Sequence, residues 1–155
     1  MVDRTEAAGA GLPAPLIFAG LFVVGLGLNA VLPHPAVAPA LRSVGWLLAV
    51  FGFVGIGLPA FLALRRAGTS PNPRRPTTAL VADGPYRFTR HPLYLSMTTM
   101  YGGVALGVNS FWTLVLLAAA IALIDRGPMA REERYMERKF GDAYRAYTAR
   151  VRRWL

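Results

Sequence analysis

The chain has 155 residues, a length that sets one domain, and 54% of them are hydrophobic, too apolar for an ordinary soluble protein of this size. Its formal net charge is +9 and its pI about 11.0, so the charges must be segregated from the apolar runs. There is no cysteine, which excludes disulfides, thiol catalysis and thiolate metal sites, and two histidines far apart in sequence, His34 and His91, do not make a metal site.

No fixed charge falls between Glu6 and Arg42, between Arg42 and Arg65, or from His91 to Ile124. A bilayer crossing takes ~20 apolar residues, so Pro15 to Leu32 reads as a first span and Ser43 to Leu64 as a second. Ala36-Val37-Ala38 looks like a signal-peptidase site. However, Asp3 and Glu6 stand beside Arg4 in the leader, and the apolar run exceeds the ~7–15 residues of a signal, so span one is expected to be retained. Glycines on these spans (Gly20, Gly25, Gly27, Gly52, Gly55, Gly57) are suited to close helix packing rather than to a nucleotide loop, because no strand precedes them. Pro59 predicts a kink near the end of span two.

After Arg66 the character changes. The stretch from Ala67 to Pro76, rich in proline, cannot be helical. Leu80-Val81 and the turn Asp83-Gly84-Pro85 follow, then Tyr86-Arg87-Phe88-Thr89-Arg90-His91-Pro92-Leu93-Tyr94. Pro92 suits the first turn of a third span, where its missing N–H costs nothing. A turn at Gly107-Val108-Asn109-Ser110 divides the long apolar window into spans three and four, each of roughly 15 to 18 residues. The expectation is an all-α polytopic membrane protein with about four transmembrane helices, forming a single domain over 1–155. Within it, 1–66 would be scaffold and 67–155 the functional part.

Basic residues set the orientation. Arg65, Arg66, Arg74, Arg75, Arg87 and Arg90 lie between spans two and three, and a second basic cluster follows span four, whereas Arg42 is alone on the other side. The positive-inside rule then places both termini and the middle loop in the cytoplasm. Topology accounts for the arginines, so no nucleic-acid partner is expected. Beyond span four, Met129, Met136, Phe140, Tyr144, Tyr147 and Val151 form one apolar stripe on basic helices. Such interfacial amphipathic helices are expected to lie in the headgroup plane, with Trp154 as an anchor.

A hairpin of spans three and four brings His91 and Tyr94 near Glu132 and Glu133, and His91, Tyr94, Met97 and Tyr101 share one helix face. A histidine, aromatics and two carboxylates at a bilayer rim need a reason. One reading is structural: Arg87 and Arg90, or the flanking Arg131 and Arg134, neutralise the acids, and the tyrosines anchor the interface. Adjacent glutamates do not share a face, so one of the two must point elsewhere.

The pattern Leu80-Val81-x-x-Gly84-Pro85-Tyr86-Arg87-x-x-Arg90-His91-Pro92-x-Tyr94, with Glu132-Glu133 and Phe140-Gly141-x-x-Tyr144-x-x-Tyr147, resembles the isoprenylcysteine carboxyl methyltransferase and phospholipid methyltransferase family over about residues 66 to 155. That resemblance implies an enzyme of the cytoplasmic (inner) membrane that uses S-adenosyl-L-methionine to methylate a hydrophobic or lipid-like acceptor, a carboxylate or an amine. It implies that Leu80 and Val81 line the adenosyl end, Tyr86 covers the cofactor, and His91, Pro92, Leu93 and Tyr94 form a wall. Glu132 would hold a polar group, Thr78 and Ala79 would give backbone contacts, and Arg90 would belong to the same site. For an amine acceptor His91 or Glu133 is the candidate base. Where the isoprenylcysteine branch has a substrate arginine, this chain has Pro128, with Arg126 and Arg131 on either side as candidates for the acceptor. Arg-His-Pro-x-Tyr also occurs in sterol-type NADPH-dependent reductases, which usually carry asparagine at the position of Leu93. A non-enzymatic membrane protein is the third reading.

Overall fold

The computed structural model describes residues 12–71 and 76–155. The leader charges Asp3, Arg4 and Glu6 and the loop cations Arg74 and Arg75 lie outside these. Among the described residues every regular element is helical. Helix α1, Ala14–Val31, starts behind Pro13 and gives way to an extended segment holding Pro33 and Pro35, which cannot continue it. Helices α2 (Pro39–Val50) and α3 (Leu58–Arg66) form one continuous rod through a π-helical segment at Phe51–Gly57. The irregularity expected at Pro59 takes this form: Pro59 has no N–H to offer, and just before it Leu58 donates five residues back to Phe53.

Helix α4, Pro92–Gly107, begins with Pro92 in its first turn, as its fixed φ favours. A tight turn with Asn109 in the left-handed region (φ 58°) leads to α5, Phe111–Ile124. Asn109 also ties down the opposite connection, since its Oδ1 accepts the Val37 N–H at 2.6 Å. A second π-helical segment, Asp125–Met129, contains Pro128 and joins α5 to α6, Ala130–Phe140. Gly141, with φ 51°, turns the chain into α7, Asp142–Thr148.

Among the described residues, three helices are long and apolar enough to cross a bilayer: Ala14–Val31, Pro39–Arg66 and Phe111–Phe140. They carry outward-facing Leu16, Val23, Val31, Leu47, Val50, Phe51 and Phe53, each more than half exposed. A surface of this kind is untenable in water and suits hydrocarbon. The fourth expected span, α4, has 16 residues, roughly 24 Å of helix. That is short of a full hydrocarbon core. It is the central helix, packed by α1, α2 and α5.

Glycine makes that packing possible where backbones meet. A Cβ on Gly103 would lie 2.5 Å from the Ala49 nitrogen, and one on Gly45 would lie 2.7 Å from the Gly103 carbonyl oxygen. Ser96 completes the contact by donating to the Gly52 carbonyl at 2.7 Å. On α1, Gly25 meets Thr113 of α5, but Gly20 and Gly27 face open space, with no described residue within reach of an added Cβ. The core gathers Ala14, Phe18, Tyr94, Tyr101, Ala120, Ile124 and Met129 at the end of the bundle that carries the long loop.

Candidate active site

The loop ahead of α4 is built from short-range hydrogen bonds. Thr78 donates its N–H to Thr69 Oγ1 and its hydroxyl to the Gly68 carbonyl, each at 3.0 Å, which closes the loop on itself. A single 3-10 turn, Gly84–Arg87, presents Tyr86. The Tyr86 carbonyl accepts the Tyr147 hydroxyl at 2.7 Å, so α7 is latched to the loop. His91 caps α4 and is 5% exposed.

Around His91 the two adjacent glutamates divide. Glu132 lies toward a cavity and accepts the Tyr94 hydroxyl at 3.1 Å, with His91 Nδ1 4.0 Å from the same oxygen. Glu133 lies on the other side of the ring, 3.3 Å from Nε2, and faces a second, basic cleft that includes Arg134, Arg145 and Arg153. This is the divergence required of neighbouring positions on a helix. Arg90 Nη1 stands 2.9 Å from Glu133, and Arg153 grips both of that carboxylate's oxygens. Among the described residues Arg131 and Arg134 form no ion pair with either acid, and Arg87 instead stacks on Phe88. Of the arginines expected to neutralise the acids, Arg90 does so at Glu133, where Arg153 joins it; among the described residues no arginine pairs with Glu132.

The cavity is lined by Ala79, Leu80, Val81, Tyr86, Arg90, His91, Pro92, Leu93, Tyr94 and Glu132. Of the residues expected on the cofactor side, Thr78 alone stays out of the lining and braces the loop. Met97 continues the wall, whereas Tyr101 sits deeper against Phe18 and Phe22. Arg126 and Arg131 line neither the cavity nor the cleft. Glu133, a candidate base, lies behind His91 and not in the cavity wall.

Several lining residues were not singled out from sequence: Ala14 and Pro15 of α1, Leu64 of α3, Ser70, Pro71 and Thr77 of the loop. Met136, Tyr144 and Tyr147 were read as part of a lipid-facing stripe. They turn inward and close the cavity, and Tyr144 and Tyr147 are 6% and 5% exposed. Trp154, expected as an interfacial anchor, packs against the core and donates to Asp125 at 3.1 Å.

Burial pushes the Tyr86 hydroxyl far above its ordinary range, and Glu132 adds to the rise. Tyr144 is pushed up to about 12, chiefly by burial and then by Glu133, and burial acts on Tyr147 in the same direction. These phenols stay protonated at physiological pH and serve as donors and ring faces.

The sequence model described as phospholipid methyltransferase matches residues 41–143. The chain belongs to the phospholipid methyltransferase family. It is therefore a membrane protein of a methyltransferase family, and the matched region runs from α2 to the start of α7. A stretch of 50 residues is also 48% identical to an uncharacterized protein of Haemophilus influenzae, covering 32% of this chain and 76% of that one.

Proposed function

We propose that the protein is an S-adenosylmethionine-dependent methyltransferase of the cytoplasmic membrane, with both termini and the 67–91 loop on the cytoplasmic side, acting on a hydrophobic or lipid-like acceptor. The reading is carried by one observation. A single cavity joins an apolar and aromatic lining to a carboxylate, Glu132, and to Arg90, whose buried Nε has no hydrogen-bond partner. A guanidinium with an orphaned N–H and a carboxylate in the lining of one cavity fit a ligand that carries both an anionic and a cationic group, as an amino-acid moiety does.

The lining side chains suit S-adenosylmethionine. Ala79, Leu80 and Val81 would take its adenosyl end and Tyr86 would cover it. Glu132, with its side chain 35% exposed and Tyr94 on one oxygen, would accept from ribose hydroxyls or pair with the ammonium. Arg90 would take the carboxylate. The faces of Tyr86 and Tyr94 favour a nearby cation by ~0.5–2 kcal/mol. When bound, this cofactor supplies a methyl group on a sulfonium, open to in-line displacement by a nucleophile.

The chain's own contribution is chiefly alignment, which supplies up to ~7–11 kcal/mol when reacting groups are held in place. A carboxylate acceptor, with a pKa near ~4, needs no base at neutral pH. An amine must lose a proton, and His91 is the group on the cavity wall placed to take it. With Nε2–H donated to Glu133, Nδ1 carries the free lone pair on the Glu132 side. Ala14, Pro15, Leu64 and Met97 give the cavity an apolar flank toward the spans, suited to an acceptor arriving from lipid.

The test is calorimetry with S-adenosylhomocysteine on purified protein in detergent, where micromolar binding is expected. A folded sample that binds none at millimolar ligand sinks the reading, and binding of NADPH instead would turn it to the reductase class. Incubation of lipid extracts with methyl-labelled cofactor, followed by mass spectrometry, then identifies the acceptor.

A further inference from the structure

We infer that Arg153 is a positioning residue that holds Glu133 against His91 and so fixes the imidazole on the cavity wall; as regards catalysis, this rests on the function proposed above. Arg153 does not line the cavity, yet it reaches His91 by two independent routes. Through its side chain, the guanidinium engages both oxygens of Glu133, with Nε at 3.1 Å from Oε1, and Glu133 Oε1 is 3.3 Å from His91 Nε2. Through its main chain, the Arg153 carbonyl accepts the Thr89 hydroxyl at 2.9 Å, and the Thr89 hydroxyl oxygen in turn accepts the His91 N–H at 3.2 Å.

The flanking residues reinforce both routes. The Arg152 carbonyl accepts the Arg90 N–H at 3.0 Å. Asp125, in the π-helical segment, accepts from Arg153 Nη1 at 3.2 Å and from Trp154 Nε1 at 3.1 Å. The last turn of the chain thus clasps three separated elements around one imidazole. An exposed ion pair would carry little weight, but the Glu133 side chain is only 13% exposed, and a guanidinium fork sets direction as well as charge. With Arg90 as its other cation, Glu133 would keep a counter-charge after loss of Arg153 but not its orientation.

The chain has only two histidines, and His34, which is exposed and bonded to its neighbour's carbonyl, is an internal control. In histidine-labelled full-length protein in micelles, Arg153→Ala should shift the His91 imidazole resonances and leave those of His34 in place. Methyl incorporation into lipid extract should fall in kcat by about 100-fold, with S-adenosylhomocysteine affinity kept within about threefold because Glu132 is untouched. Arg138→Ala, which removes an exposed cation outside the network, should change neither. A folded Arg153→Ala protein with an unmoved His91 spectrum and unchanged kcat overturns the inference. Should that variant not fold, Arg153→Lys keeps a cation but loses the fork, and a wild-type His91 spectrum and kcat there overturn the inference equally. The spectrum is read without cofactor, so failure of the methyltransferase reading would show separately, as absence of ligand binding by the wild-type protein.

Discussion

Glu132 and Glu133 are consecutive in sequence and opposite in circumstance. Glu132 keeps one oxygen for the cavity, while Glu133 is committed to Arg90, Arg153 and His91. Glu132→Gln should therefore weaken S-adenosylhomocysteine binding on the order of 10- to 100-fold, the loss of a charge-assisted hydrogen bond, as calorimetry would measure. Tyr144 makes a different prediction. Its folded pKa is raised from 10.0 to about 12, so its neutral form gives stability that is complete below pH 10 and is lost as pH rises toward 12. In a denaturation series across that window, Tyr144→Phe should flatten the alkaline fall. His91, Tyr94 and Glu132 were legible because a compact motif carries them. Tyr144 and Tyr147 were visible only as a periodic stripe, and a stripe of that kind is the same whether lipid or protein covers it. Arg153 gave no signal at all, being one cation in a tail full of them.

At the level of helices, the apolar windows located the spans to within a few residues, because the cost of burying charge in hydrocarbon leaves little freedom in where a run begins. They also gave α4 its short length, 16 residues against the roughly 15 to 18 expected; what they did not show is that it is shielded by α1, α2 and α5. Burial inside protein and burial inside lipid select the same residue types. The glycines show the same limit. From sequence, those on spans one and two looked equally suited to packing, yet only some meet a neighbour. Gly103→Ala puts a methyl group into the α2 backbone and should destabilise the fold by about 1–3 kcal/mol, read from thermal unfolding followed by circular dichroism. Gly20→Ala meets nothing and should be neutral or stabilising by up to ~1 kcal/mol, since alanine is the better helix former.

For the molecule as a whole, the loop, the His91 cluster and the C-terminal helices gather at one end of the bundle, and the Val37–Asn109 contact marks the other. Because the chain has no cysteine, single substitutions can report the sidedness of these ends. In inverted and right-side-out vesicles, Arg138→Cys should react with an impermeant thiol reagent only from the cytoplasmic face, and His34→Cys only from the opposite face. The reverse pattern would overturn the proposed orientation. Helix α1 lies outside the matched residues 41–143, yet Ala14 and Pro15 help to enclose the cavity and Phe18 enters the core. A site defined by the family region alone would be open on that flank.

The π-helical segment at Asp125–Met129 sets the rotational phase of everything after it. Each residue of an α-helix advances the azimuth by about 100°, the same angle that separates Glu132 from Glu133. Deleting Gly127 as this wide turn closes to α-helical pitch would leave both bearings nearly unchanged, but closing it with every residue kept would swing α6 through about that arc and bring Glu132 round to the bearing now held by Glu133. The guanidinium clasp would then close on the wrong acid. A local widening of the spiral thus acts as the dial that decides which carboxylate looks into the chamber.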